Sequence, residues 1–143
     1  MKTIGLSNDH AGYELKEFVK QILDKKGIPY KDYGAQSAES SDYPDFAHPL
    51  AYAVEKGEVA EGIAICGSGN GIAMTLNKHA GIRAALSWNA EIAALARAHN
   101  DANILVMPGR FISKEEASKA VDAFLNTSFE GGRHQRRIEK IPI

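Results

Sequence analysis

Hydrophobic positions along the chain switch between two spacings, and the switches are regular. Residues 3–7, Thr-Ile-Gly-Leu-Ser, are a short apolar run that stops at Asn8-Asp9-His10-Ala11-Gly12, which predicts a strand and then a strand-to-helix loop. Leu15, Phe18, Val19, Ile22 and Leu23 recur at i, i+3, i+4, i+7 and i+8 with lysines and acids opposite, the stripe of an amphipathic helix that Gly27 stops. Residues 29–33 give a second strand ending at Gly34, and Gln36 to Tyr43 the longest loop. Pro44-Asp45 opens a helix that carries Phe46, Leu50, Ala51 and Val54 and ends at Gly57. Pro49 fits only a first helical turn, so this helix is expected to start near Asp45 or to kink.

The second half repeats the alternation. Ile63-Ala64-Ile65 leads into Cys66, then Gly67-Ser68-Gly69-Asn70-Gly71, then a stretch with helical spacing, which reads as buried strand, tight loop and helix start. Residues 82–86 form a fourth strand, and Asn89 caps a helix that passes Ile92, Ala93, Leu95 and Ala96 into His99-Asn100. Residues 103–107 form a fifth strand closed by Pro108-Gly109-Arg110, and Ser113-Lys114-Glu115-Glu116 is a capping box before Ala117, Ala120, Val121 and Phe124. Strands separated by helices predict a parallel sheet covered on both faces, with ligands beyond the carboxyl ends of its strands. Asp9-His10, Cys66 to Gly71, and His99-Asn100 with Arg110 are all expected at those ends.

Composition narrows the class. At 143 residues, 44% hydrophobic and 24% charged, one compact domain over residues 1–143 is expected. The net charge of −1 gives no global pull toward nucleic acid or an anionic membrane, so phosphate recognition must be local. A single cysteine excludes an internal disulfide. The start Met-Lys-Thr-Ile-Gly-Leu-Ser lacks the pattern of a leader, and no run approaches the roughly 18 apolar residues of a membrane span, so a reducing cytoplasm is expected.

The glycine loop is the first candidate for chemistry. Glycines 67, 69 and 71 let the backbone turn with positive φ and approach a ligand, and free N–H groups at a helix start favour negative charge. Cys66 stands at the lip of that loop, where a thiol is placed to act as thiolate, the form that takes a proton or attacks carbon. A lone cysteine is more often a small buried hydrophobe, and tight strand-to-helix turns use glycine whatever they bind. The tail is the second candidate. Gly131-Gly132 precedes Arg133, His134, Arg136 and Arg137, followed by a sparse apolar stripe at Ile138, Ile141 and Ile143. Such an end is either a solvated basic face or a set of bidentate phosphate ligands on an arm that buries its stripe against a second subunit.

Taken together, the segments Asp9-His10-Ala11-Gly12, Asp42-Tyr43-Pro44, Ile65-Cys66-Gly67-Ser68-Gly69-x-Gly71, Asn77-Lys78, Gly81-Ile82-Arg83-Ala84, His99-Asn100-Asp101-Ala102-Asn103 and Gly131-Gly132-Arg133-His134 resemble the ribose-5-phosphate isomerase B / galactose-6-phosphate isomerase family nearly end to end. The resemblance implies a Rossmann-like three-layer α/β/α domain with a five-stranded parallel sheet and a C-terminal arm packed on a partner subunit. It implies a homodimer or dimer of dimers with shared active sites, and aldose–ketose isomerisation of a sugar phosphate with neither metal nor organic cofactor. Nucleic acid and membrane are not implied as partners.

Roles follow from the resemblance residue by residue. Cys66 matches the general base, and His99, working with Asp9, the acid that helps open the furanose ring. The N–H groups of Gly67, Ser68, Gly69, Asn70 and Gly71 with the Ser68 hydroxyl match the anion hole for the enediolate. His10, Arg133 and Arg137 match phosphate contacts, Asn100 and Arg110 further sugar or phosphate contacts, and Tyr43 the pocket wall, with His134 approaching the substrate. His99, Asn100 and their neighbours would come from the opposite subunit. Asn8, Asn70, Met74, Trp88 and Pro108 depart from the family pattern near the expected pocket walls. Allose 6-phosphate and galactose 6-phosphate therefore stand beside ribose 5-phosphate as substrates, and a phosphosugar-binding module without chemistry is the non-enzymatic alternative.

Overall fold

The computed structural model describes residues 2–143. Its elements in chain order are β1 (Ile4–Asn8), α1 (Tyr13–Lys26), β2 (Tyr30–Asp32), α2 (Tyr43–Glu55), β3 (Glu61–Cys66), α3 (Asn70–Leu76), β4 (Ala84–Leu86), α4 (Ala90–Asn100), β5 (Ile104–Pro108), α5 (Lys114–Asn126) and α6 (Arg133–Ile138), with a 3₁₀ turn at His10–Gly12. The five strands form one parallel sheet in the order β2-β1-β3-β5-β4.

Strands β1, β3 and β5 are buried along their whole length, so both faces of the sheet are covered. Successive side chains point to opposite faces, and the core divides accordingly. Ile63, Ile65, Leu105 and Met107 pack with Leu15, Val19, Leu23, Ala93, Ala120 and Phe124 of α1, α4 and α5. Ala64, Cys66, Ile104 and Val106 pack with Leu50, Ala51, Ile72 and Leu76 of α2 and α3. This is the expected α/β/α sandwich, and it puts the Cys66 side chain on the α2–α3 face.

Local signals worked where they depend on neighbouring residues. Gly27 ends α1 with φ 69°, and the Asn89 carboxamide accepts from the Ile92 N–H at 2.9 Å. Two expectations need correction. Helix α2 begins at Tyr43, with Pro44 in its first turn, and Pro49 lies inside it; the apolar face formed by Ala47, Leu50 and Ala51 is buried, and that burial outweighs the hydrogen bond proline removes. The capping box before α5 is half made: Ser113 Oγ accepts from the Glu116 N–H at 3.1 Å, but Glu116 Oε1 accepts from the Ala90 N–H at 3.1 Å, so it caps α4 instead.

One lysine of the polar stripe is also not where periodicity puts it. Lys16 is 1% exposed; its ammonium lies 2.9 Å from Asp32 and donates to the Ala35 carbonyl at 2.6 Å. A buried ammonium persists only with such partners. Burial alone would push the Asp32 carboxyl up, but hydrogen bonds from Lys16, Lys20 and the Gly34 N–H hold it below its ordinary value. The pair ties α1 to β2 and to the loop leaving it.

Candidate active site

The carboxyl ends of β1, β3 and β5 converge. Cys66 pairs with Pro108, and Asn8 with Ile65, so the loops after the three strands share one end of the sheet. Cys66 is 4% exposed: it forms the floor of the site rather than its lip. Beyond it Gly69 takes φ 81° as the N-cap of α3, with no side-chain cap. A helix start leaves its first N–H groups without partners inside the helix. One of them, of Asn70, donates to Ser68 Oγ at 3.2 Å, which leaves the hydroxyl proton free to donate.

Side chains from distant segments close over this loop. A Cβ on Gly71 would come within 2.5 Å of Tyr43 Cζ, so the phenol ring lies directly against the loop. A Cβ on Gly67 would meet the Arg110 guanidinium at 3.3 Å, which brings Arg110 to the same end. Asp9 is 5% exposed, and its Oδ1 accepts from Ala11 and Gly12 N–H at 3.0 and 3.2 Å; this carboxylate holds the loop that carries His10. Ser41 and His10 bind each other: the His10 N–H donates to Ser41 Oγ at 3.1 Å, and the Ser41 N–H donates to His10 Nδ1 at 3.1 Å. A neutral ring in this arrangement carries its proton on Nε2. The cleft beside it, about 330 Å³, is lined by His10, Glu14, Gly109, Arg110 and Lys114 among others. Ser41 and Lys114 escaped the sequence reading, since nothing in their local pattern marks a 31-residue contact or a cleft wall.

His99 and Asn100 are elsewhere, which corrects the expectation that they join Arg110. In a parallel sheet the helix between two strands runs back, so the last turn of α4 lies at the amino end of β5. Three contacts fix the level: Arg83, just before β4, donates through Nε to the Asn100 carbonyl at 3.0 Å and through Nη2 to the Asp101 carbonyl at 2.9 Å, and the Gly62 N–H donates to the Asn103 carbonyl at 2.9 Å. Gly62 and Cys66 are four residues apart on β3, about 13 Å at the strand rise. Arg83 and Arg97 also hold Asp101, which caps α4 at φ 45°. Arg83 carries part of the family resemblance without an assigned role, and Arg97 carries none.

The tail joins His99, not Cys66. The Glu130 N–H donates to the Ala98 carbonyl at 3.0 Å, and His134 stacks on His99 with centroids 4.2 Å apart and 12° between planes. His134 is 7% exposed, whereas Arg133 and Arg137 are exposed and, among the described residues, in no ion pair. Helix α6 therefore lies on its own chain's α4. Asn8, expected in the pocket wall, is buried: its Nδ2 donates to the Asp9 carbonyl at 2.8 Å. Asn70, Met74 and Trp88 are exposed, and Pro108 is the last residue of β5. No described helix is long and apolar enough to cross a membrane.

The arrangement matches known proteins over its whole length. The Ribose/Galactose Isomerase family model matches residues 4–141. Ribose-5-phosphate isomerase B of Escherichia coli (strain K12) is 45% identical over 141 residues, 99% of this chain and 95% of that protein. A crystal structure of a ribose 5-phosphate isomerase from Thermotoga maritima superposes with a TM-score of 0.96 at 50% identity, covering 98% of this chain and 97% of the other. A crystal structure of ribose-5-phosphate isomerase B from Mycoplasma genitalium with bound ribulose-5-phosphate gives a TM-score of 0.92 at 44% identity, covering 97% and 93%.

Proposed function

This chain belongs to the ribose/galactose isomerase family, and on that premise we propose that it interconverts ribose 5-phosphate and ribulose 5-phosphate through a cis-enediolate. It is an aldose–ketose isomerase. The observation that carries the mechanism is Cys66 at the floor of a loop whose backbone N–H groups have no helical partner, with Arg110 and Tyr43 closing over it. A proton on carbon beside a carbonyl is very weakly acidic, so both a close base and fixed donors at the developing oxyanion are required. The Cys66 thiolate takes the proton from C2 of the open-chain aldose, charge develops on O1, and the N–H groups of Gly67 to Gly71 with Ser68 Oγ stabilise it. The thiol then returns the proton to C1, and the proton of the 2-hydroxyl passes to O1, which leaves the ketone at C2.

Ring opening and phosphate binding fall to the other end of the sheet. His99 acts as the acid, with Asp9 on the facing chain, while Asn100, Arg133 and Arg137 supply sugar and phosphate contacts and His134 steadies His99. About 13 Å of strand separates these groups from Cys66 in one chain, so the complete pocket forms between two subunits of a homodimer or a dimer of dimers. His10 and Arg110 orient the substrate from the Cys66 side. Residues 1–143 act as one isomerase domain, supported by a family match over 4–141. A reducing cytoplasm suits the free Cys66 thiol.

Initial rates on ribose 5-phosphate, allose 6-phosphate and galactose 6-phosphate side by side test the reading. Discrimination by size alone is worth about 1–3 kcal/mol, so ribose 5-phosphate is expected to lead allose 6-phosphate by roughly 10–200-fold in kcat/KM. A higher value for the six-carbon sugar reassigns the substrate, and no turnover of any of the three returns the chain to the phosphosugar-binding alternative.

A further inference from the structure

We propose that His99, Glu130 and His134 form a binding site for a borderline transition-metal cation of the Zn²⁺ type, and that filling it withdraws His99 from ring opening. Both histidines direct Nε2 at one carboxylate oxygen: His99 Nε2 is 3.8 Å from Glu130 Oε1, and His134 Nε2 is 3.4 Å from the same atom. The three ligand atoms all lie within 4.8 Å of one another. Tetrahedral Zn²⁺ with bonds of about 2.0–2.1 Å spaces its ligand atoms roughly 3.3 Å apart. The Glu130–His134 pair already has that spacing; the His99 ring, now nearly parallel to that of His134, closes the set by leaving the stack and turning its Nε2 toward the shared oxygen.

Part of the frame is fixed and part can turn. His134 is buried and the Glu130 main chain is bonded to Ala98 of α4, whereas the half-exposed His99 ring has room to swing off His134. His99 and Glu130 are reached by solvent, at 39% and 58% side-chain exposure, which leaves an entry path and an open fourth position. Two imidazoles and one carboxylate suit Zn²⁺, Co²⁺, Ni²⁺ or Cu²⁺ rather than Mg²⁺ or Ca²⁺. The other histidine cluster differs in kind. His79 turns Nε2 to His48 at 2.7 Å and Nδ1 to Glu55 at 3.4 Å, so its nitrogens bridge two partners and do not converge on a common point.

The inhibitory half rests on the role proposed for His99; the site itself does not. A metal-bound imidazole has no Nε2 lone pair or proton to exchange with a sugar ring oxygen. Tag-free protein titrated with Co²⁺ should develop the intense visible bands of a tetrahedral centre at one equivalent per chain, with Mg²⁺ producing no change. Glu130→Gln should weaken this binding at least about tenfold, or about 1.4 kcal/mol, and Cys66→Ser should leave it intact. Absent bands in the wild type, or bands that survive Glu130→Gln and vanish in Cys66→Ser, overturn the site and leave the His99 assignment untouched. Zn²⁺ should lower wild-type turnover at least about tenfold, reversibly with chelator, while Glu130→Gln keeps a larger share of its own metal-free rate at the same metal concentration. Co²⁺ bands lost in Glu130→Gln without any fall in wild-type turnover leave the site standing and overturn the role of His99.

Discussion

The two ends of the sheet are built from different materials. At the carboxyl ends of β1, β3 and β5, the proposed chemistry rests largely on backbone and on buried groups: Cys66 and Asp9 are at most 5% exposed, Gly69 holds φ 81°, and His10 is pinned by Ser41. At the amino ends the groups proposed to bind substrate are side chains on two helix termini, and Asn100, Arg133 and Arg137 are exposed. Proton abstraction needs donors and a base already in place when charge appears, which a rigid strand–loop junction provides. Holding a phosphate tolerates a longer reach, and flexible arginines on an arm suffice for it. On the proposed reading a single chain is complete at neither end, and two copies facing each other would make each end whole.

The sharpest way to break the comparison is to remove the base. Cys66→Ala should lower kcat at least about 10²-fold with KM and circular dichroism nearly unchanged; near-wild-type turnover would move the chemistry away from this end. The division between subunits is tested next. Cys66→Ala and His99→Ala chains should each be nearly inactive, yet when mixed with subunit exchange they should recover roughly a quarter of wild-type activity, because half the dimers are mixed and each holds one intact pocket. Demonstrated heterodimers with no recovery would place both residues in one chain's pocket.

The amino end should behave as a binding end. Arg137→Ala or Arg133→Ala is expected to remove about 1.5–3 kcal/mol of charge-assisted contact, seen as a KM raised tenfold or more with kcat largely kept, and ribose should be a poor substrate. A variant that loses kcat at unchanged KM gives the tail a part in the chemistry. The smallest effect is in the frame of the carboxyl end, where Lys16 and Asp32 anchor the loop at Ala35. The Asp32 carboxyl is held below its ordinary value in the folded state, so its stabilising contribution is full above the unfolded carboxylate pKa and is lost as pH falls through the depressed folded one. Thermal melts from neutral to acid pH should show that loss in the wild type, and Asp32→Asn should flatten it.

Much of the fold was legible because its signals are local. The alternation of period 2 and period 3.6, Gly27, the Asn89 cap and the glycine loop each act within a few residues of themselves, so the sequence names them directly. Cys66, Gly67 to Gly71 and Asp9 stand at the carboxyl ends of strands, where the alternation of elements puts them. His99 was misplaced because it precedes β5 in sequence, although a helix that connects parallel strands must return to their amino ends. Asn8 looked like a wall because it neighbours Asp9, but it is the last residue of β1 and turns inward.

By itself the sequence determined the α/β class, the order of the elements, the cysteine and glycine loop, and a tail of arginines. Only the tertiary structure decided that Glu116 caps α4 rather than its own helix, that Ser41 orients His10 across 31 residues, that Lys16 is buried against Asp32, and that His134 stacks on His99. Helical and strand preferences arise between residues a few positions apart and leave a repeating trace. A contact between distant segments is selected by how whole layers pack, and no local pattern records which pair will meet.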